Sequence, residues 1–216
     1  MKLKIKLLAA AGLAALTAGC GGSGGDPVEL AFADYSEIKD AADLAEVNIG
    51  FAAGAAATVP FTAGSTTEVA LTAVAGNASY VGFVRVNDGV LVNPDELVGA
   101  LKLDMDFNTD TLTGSANNFY HSTNGAYTGD LSLAGGTIAD GGPFPDTLSG
   151  DLIGNLTNGG TTYETEILLD GEFQDAFVIG DPFVDAPDAI GGTAVATLDD
   201  NGAVDFYDGS FVAQEQ

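Results

Sequence analysis

Few residues in this chain have the type and spacing to do chemistry. Phe119-Tyr120-His121 holds the only histidine among 216 residues and stands just before a Ser122–Gly125 turn. Read as part of a 119–125 connection, these residues place rings where solubility asks only for polar groups, and Phe183 does the same in the longer 180–190 connection. Aromatic side chains bury much area and lose little entropy on ordering, so Phe119, Tyr120, His121 and Phe183 are the candidate ligand-binding residues. The plainer account is that Phe119 and Tyr120 finish a strand and cover the mouth of the fold, while Phe183 folds back on its outer wall. Asp104, Asp106, Asn108 and Asp110 have the DxDxNxD spacing of a calcium loop. Such a loop also needs glycine at its sixth place and glutamate at its twelfth, and these places hold Thr109 and Ser115. The run therefore reads as the wet face of a strand entering a turn, and no metal or other cofactor is assigned. Catalysis has little to work with. One histidine would have to serve every serine, no G-x-S-x-G elbow or GK[ST] phosphate loop is present, and 31 acidic residues make paired carboxylates uninformative. The chain is read as a non-enzyme.

Cys20, the only cysteine, has a different chemistry. Lys2, Lys4 and Lys6 are followed by an apolar run from Leu7 to Leu16, and Leu16-Thr17-Ala18-Gly19 puts small residues directly before the thiol. About ten apolar residues make a secretory signal, roughly half of what a membrane-crossing helix needs. Leu16 to Cys20 resembles the lipobox of bacterial lipoproteins. The resemblance implies cleavage before Cys20 and acylation of its sulfur and new amino group. Two or more acyl chains anchor stably, and a thioether removes the oxidation liability of an exported thiol. A zinc site would need three or four ligands, and lipidated Cys20 leaves one nitrogen donor, His121. Gly21, not Asp, follows the cysteine, so the expected address is the outer membrane, with the protein at the cell surface or facing the periplasm. Residues 21–27, GGSGGDP, form a tether with a reach of about 15 Å.

The elements that must position any site come from the hydrophobic pattern. Leu101, Leu103, Met105 and Phe107 alternate with Lys102, Asp104, Asp106 and Asn108, a period of two with one apolar and one wet face. The turn at 108–111 leads into Leu112-Thr113-Gly114. The same grammar recurs around Asn158-Gly159-Gly160, and Asp200-Asn201-Gly202 is a hairpin signal. Eight segments follow this rule: 80–86, 98–107, 111–118, 126–133, 148–157, 161–169, 192–199 and 203–213. A further run at 172–180 is either a strand or part of a long loop. Residues 34–47 form the one helical pattern, with Ser36 as its cap and Ile38, Ala41, Ala42 and Ala45 on one face. Strands are also expected at 59–61 and 66–74.

Charge narrows the partners. Six basic residues oppose 31 acidic ones; with the three N-terminal lysines removed, three basic residues remain and the net charge is −28. Nucleic acid is excluded as a partner, because backbone recognition needs a basic footprint. An eight-stranded antiparallel barrel or a two-sheet sandwich both fit the strand spacing. A membrane barrel fits poorly: the segments are short, Lys102, Asp104 and Asp106 share a face, and the aromatics form no pair of girdles.

The runs GALKLDMDFNTDTLTG, YTGDLSLAGG, GDLIGNLTNGG and GEF, with the closing GGTAVA and GSFVA, resemble the barrel domain of the transferrin-binding protein B superfamily of bacterial surface lipoproteins. The resemblance covers about 80–213 and centres on Met105-Asp106-Phe107 and Leu112-Thr113-Gly114. It implies an eight-stranded barrel beside a smaller handle, with Phe107 plugging a strand end and Gly114 allowing close packing. It also implies a surface binder, and relatives that carry haem would give a Tyr–His pair an iron-ligating role. The closing motif is only partly kept, since Gln174-Asp175 follows Gly171-Glu172-Phe173. One barrel here stands against two lobes in the transferrin receptors, so transferrin itself is not expected as the ligand.

The expected organisation is a signal peptide at 1–19, lipidated Cys20 and tether at 20–27, a small handle-like segment with a short helix and strands at 28–79, and an all-β, eight-stranded antiparallel soluble barrel at 80–216. The expected role is an outer-membrane-anchored lipoprotein that binds an unknown protein or small solute through barrel loops, with iron or haem acquisition as the role the resemblance implies. The alternative is an acidic structural envelope lipoprotein without a specific ligand. A binder should expose an aromatic or apolar patch at one barrel end; a coat protein should show uniform acid and trivial loops.

Overall fold

A computed structural model describes residues 31–49, 76–90, 94–139, 146–174 and 189–216. The signal, Cys20, the tether, the strands expected within 59–74 and Phe183 lie outside the described residues. Among the described residues one helix, α1 (Tyr35–Ile49), precedes nine strands: β1 (Asn77–Asn87), β2 (Glu96–Asp106), β3 (Thr111–His121), β4 (Gly125–Tyr127), β5 (Leu131–Ala139), β6 (Thr147–Asn158), β7 (Thr161–Gln174), β8 (Ala189–Asp200) and β9 (Ala203–Glu215).

Every pairing is antiparallel, and the sheet closes on itself. β1 pairs with β2 and with β9, β2 with β3, β3 with β5, and β5 to β9 follow in order. Eight strands therefore form an up-and-down barrel, which settles barrel against sandwich. Closure leaves no open edge for another chain to extend. The segment expected at 126–133 is two pieces, because Gly129 (φ 123°) breaks it. Its first piece, β4, is a tab on the end of β3. Residues 172–174 of the extra run continue β7. β1 begins at Asn77, three residues before the expected start.

The inward face is apolar. Leu101, Leu103, Leu112, Leu131, Leu152, Leu156, Ile167 and Phe211 are almost fully buried in one continuous core. The outward face carries Asp104, Asp151, Glu164, Glu166 and Asp170 on the same strands. This polarity suits a wall that faces water and reverses that of a lipid-facing barrel. Phe107 does close one end: its ring lies 5.9 Å from Phe173, which lies 6.5 Å from Tyr80. Gly114 allows the close approach expected of it, since a Cβ there would fall 2.4 Å from the Lys102 carbonyl oxygen.

α1 lies on the outer wall. Its cap is Asp34 rather than Ser36: the Glu37 amide donates to Asp34 Oδ1 at 3.0 Å, and Glu37 Oε2 accepts from the Ala33 amide. Ile38 and Ala42 pack on Phe83 of β1 and Val98 of β2, with Phe32 and Tyr120 alongside. Ala45 meets Ala189 and Val212. Alanines let the helix approach closely, and burying Ile38 whole contributes about 1.5–3 kcal/mol.

Candidate functional site

The 119–125 connection expected from sequence is not a loop. Residues 119–121 complete β3, and β4 returns at Gly125. Within β3 one residue breaks the period of two. Ala100 pairs with Asn117 but Val98 pairs with Tyr120, so Asn118, at φ 51°, is the extra residue of a β-bulge. Asparagine tolerates this left-handed backbone better than most residues. The bulge reverses which residues face inward beyond it. Phe119 and His121 turn into the barrel, 1% and 3% exposed, while Tyr120 turns out and donates its hydroxyl to the Phe32 carbonyl at 2.7 Å. Gly99 makes room for the Phe119 ring, since a Cβ there would fall 2.4 Å from it. Tyr120 and His121 thus lie on opposite faces of the sheet and do not converge on one ligand, because an inserted residue reset the parity.

His121 belongs to the packed mouth opposite the Phe107 end. Its ring lies 6.1 Å from Tyr127, which lies 5.8 Å from Tyr163, and Tyr207 packs against the same core. Nδ1 accepts from the amides of Thr123 (3.2 Å) and Asn124 (3.3 Å), which makes the ring part of the β3–β4 turn. An Nδ1 that accepts carries no proton. Burial pushes the imidazole below its ordinary range, against the opposing pull of Asp95 and Asp88. Burial also raises Tyr127, and it pushes Tyr207 up to about 12, helped by the nearby Asp205 carboxylate. These phenols stay protonated and serve to plug the mouth.

The calcium-like run is committed elsewhere. Asp104 accepts from Ser79 Oγ at 2.6 Å and from Lys102 Nζ at 2.8 Å. Asp106 takes the Asn108 amide and is held below the carboxylate range mainly by it. No group of three His, Cys, Asp or Glu among the described residues is placed to hold a metal.

Two other places on the outer wall concentrate charge or apolar surface, and sequence reasoning passed over both. The first lies under α1. Arg85 of β1 donates to Glu46 (2.9 Å), Asp43 (2.9 Å) and Glu96 (2.6 Å), while Tyr35 donates its hydroxyl to Glu96 and Ser210 donates to Glu46. Glu46 is 2% exposed, and burial raises it despite the Arg85 charge and the bonds it accepts. Burial works against the Arg85 charge too, but Glu46 and Glu96 outweigh it and hold the guanidinium above its ordinary value.

The second is the bare wall of β6–β9. Its outward residues form rows across the four strands: Asp151, Leu168, Val195, Asp208; then Ile153, Glu166, Thr197, Phe206; then Asn155, Glu164, Asp199, Val204. Ile153, Leu168, Val195, Phe206 and Val204 trace an exposed apolar arc, with Phe206 71% exposed. From the strand spacings the arc spans roughly 15 Å each way. Beyond the last row, the two hairpins flank an open depression of about 560 Å³ lined by residues that include Glu164, Asp199 and Asp200. The signal was present in the sequence: outward positions of ILLDGEF and AVDFYDG carry Leu168 and Phe206 where the alternation calls for polar residues.

No protein-family model matches this chain, and no curated protein sequence does.

Proposed function

We propose that this protein is a lipid-anchored barrel of the bacterial outer membrane that binds a macromolecular partner on the outer wall of β6–β9. The observation that carries the reading is the exposed arc. A wall that faces water gains nothing from Phe206 at 71% exposure beside Leu168 and Val195. Apolar residues gathered into one exposed patch, rather than scattered singly, mark interaction surfaces. An acidic coat protein without a ligand would be served by the carboxylates alone. The working surface is thus the wall itself, rather than the Phe119–His121 cluster: Phe119 and His121 are spent on packing the mouth, and Tyr120 on holding Phe32 beside α1. Anchoring rests on the Leu16–Cys20 stretch, and the tie to the transferrin-binding protein B superfamily rests on its strand-and-turn words and the closed barrel. Iron or haem cargo finds no support in Tyr120 and His121, which diverge.

Two measurements test this. Cys20→Ser should leave a precursor that takes up no labelled palmitate; normal labelling would remove the anchor from the account. The wild-type protein should capture a partner from spent medium or candidate host fluids that Phe206→Ser fails to capture at an unchanged melting temperature. Equal capture by both proteins would remove the wall.

A further inference from the structure

The wall of β6–β9 also specifies the chemistry of what covers it. Resting on the reading of this wall as a partner surface, we infer that the occupant is a cationic, apolar-bearing polypeptide segment. Its apolar side chains would lie on the Ile153–Leu168–Val195–Phe206–Val204 arc, and its lysines or arginines would reach the carboxylates around and beyond it.

Each of four arc residues sits directly opposite a carboxylate on the neighbouring strand: Ile153 opposite Glu166, Leu168 opposite Asp151, Val195 opposite Asp208, and Val204 opposite Asp199. Glu164 and Asp200 add to the acid at the hairpin end, where the open depression begins. No outward position in these rows holds a basic residue. Among the described residues the cations are used elsewhere: Lys39 pairs with Asp43, Arg85 with Glu46, Asp43 and Glu96, and Lys102 with Asp104. A second copy of this wall would set acid against acid with nothing between, and an anionic lipid surface would be repelled in the same way. A cationic segment with apolar residues is the occupant that satisfies both halves of the surface. Apolar contact supplies burial, and opposite charge steers and orients the encounter.

The test uses three synthetic peptides of equal length: alternating lysine and leucine, lysine and serine, and glutamate and leucine. The wild-type protein should bind the Lys/Leu peptide at least tenfold more tightly than either of the others, and less tightly as salt rises. Phe206→Ser and Glu164→Gln/Glu166→Gln should each raise its Kd at least tenfold, about 1.4 kcal/mol. Asp40→Asn/Asp110→Asn removes the same charge from α1 and the β2–β3 turn and should change Kd less than twofold. Equal loss in that control would make the binding a diffuse polyanion effect and overturn the inference. So would equal binding of the Lys/Ser or Glu/Leu peptide. If a partner is captured through Phe206 while the peptides show no preference, the wall stands as a surface and the cationic occupant falls. If neither capture nor peptide binding depends on Phe206, both fall.

Discussion

The two sides of the barrel's outer wall solve the same problem in opposite ways. Both carry apolar residues pointing away from the core: Phe83, Val98 and Val212 on one side, Leu168, Val195 and Phe206 on the other. On the first side α1 lies over them, and all three are buried; on the second the apolar arc is bare. Charge follows the same division. Under α1, Arg85 answers three carboxylates, whereas the β6–β9 rows hold Asp151, Glu164, Glu166, Asp199 and Asp208 without a cation. Where the chain supplies its own cover, it also supplies the counter-charge. Among the described residues the other wall has neither, and this is the contrast on which the proposed partner surface rests.

The strongest way to break this contrast is at Arg85. Arg85→Ala leaves Glu46 and Glu96 facing each other under α1 without their cation, a loss of about 3–5 kcal/mol. Chemical denaturation should show it, and the deficit should shrink as pH falls. The folded state holds the Glu46 proton more readily than the unfolded chain does, so acid relieves the buried charge. Ile38→Ala should cost about 2–4 kcal/mol by emptying a fully buried site between helix and barrel. Its effect should appear as faster hydrogen exchange of the α1 amides, as the helix loses its anchor on Phe83 and Val98.

A smaller effect separates the mouth from the wall. His121 is held neutral, with its folded pKa below the unfolded value near 6.5. The unfolded chain therefore takes the proton first, and the histidine's share of stability is full above about pH 6.5 and lost as pH falls through the depressed value. His121→Asn offers an amide oxygen to the Thr123 and Asn124 amides without a titrating group. Its melting temperature should fall less steeply than wild type from pH 7 to pH 5, and identical slopes would deny His121 this role. The smallest effect belongs to the bare wall: Leu168→Ser should change stability by no more than about 0.5 kcal/mol, since Leu168 is an exposed surface residue outside the core.

Sequence patterning made the strands legible because inward residues repeat every second position over long runs such as Leu101–Met105 and Leu148–Leu156, but it fitted barrel and sandwich alike, and only the pairing of β1 with β9 separates them. The hairpin at Asn201-Gly202 was legible for a similar local reason: both residues adopt positive φ, as such turns need. What patterning missed depends on one residue or on the third dimension. Asn118 shifts the parity of β3 by an insertion, so Tyr120 and His121 look like neighbours in sequence and part company in the fold. The Asn117-Asn118 pair directly before Phe119 and Tyr120 was the available hint. Arg85 and Glu46 are 39 residues apart, and only docking of α1 brings them together. The arc needs four strands in register before its five residues become one surface.

The central claim is that two outward phenylalanines on one sheet have different employers. Phe83→Ser and Phe206→Ser, measured side by side for melting temperature and for capture of the partner, test it most directly. Phe83→Ser should lower the melting temperature by roughly 5 °C or more, as expected for losing a buried aromatic. Phe206→Ser should leave it within a degree or two and abolish capture. A Phe206→Ser protein that melts as early as Phe83→Ser, or that captures the partner as wild type does, would contradict the account.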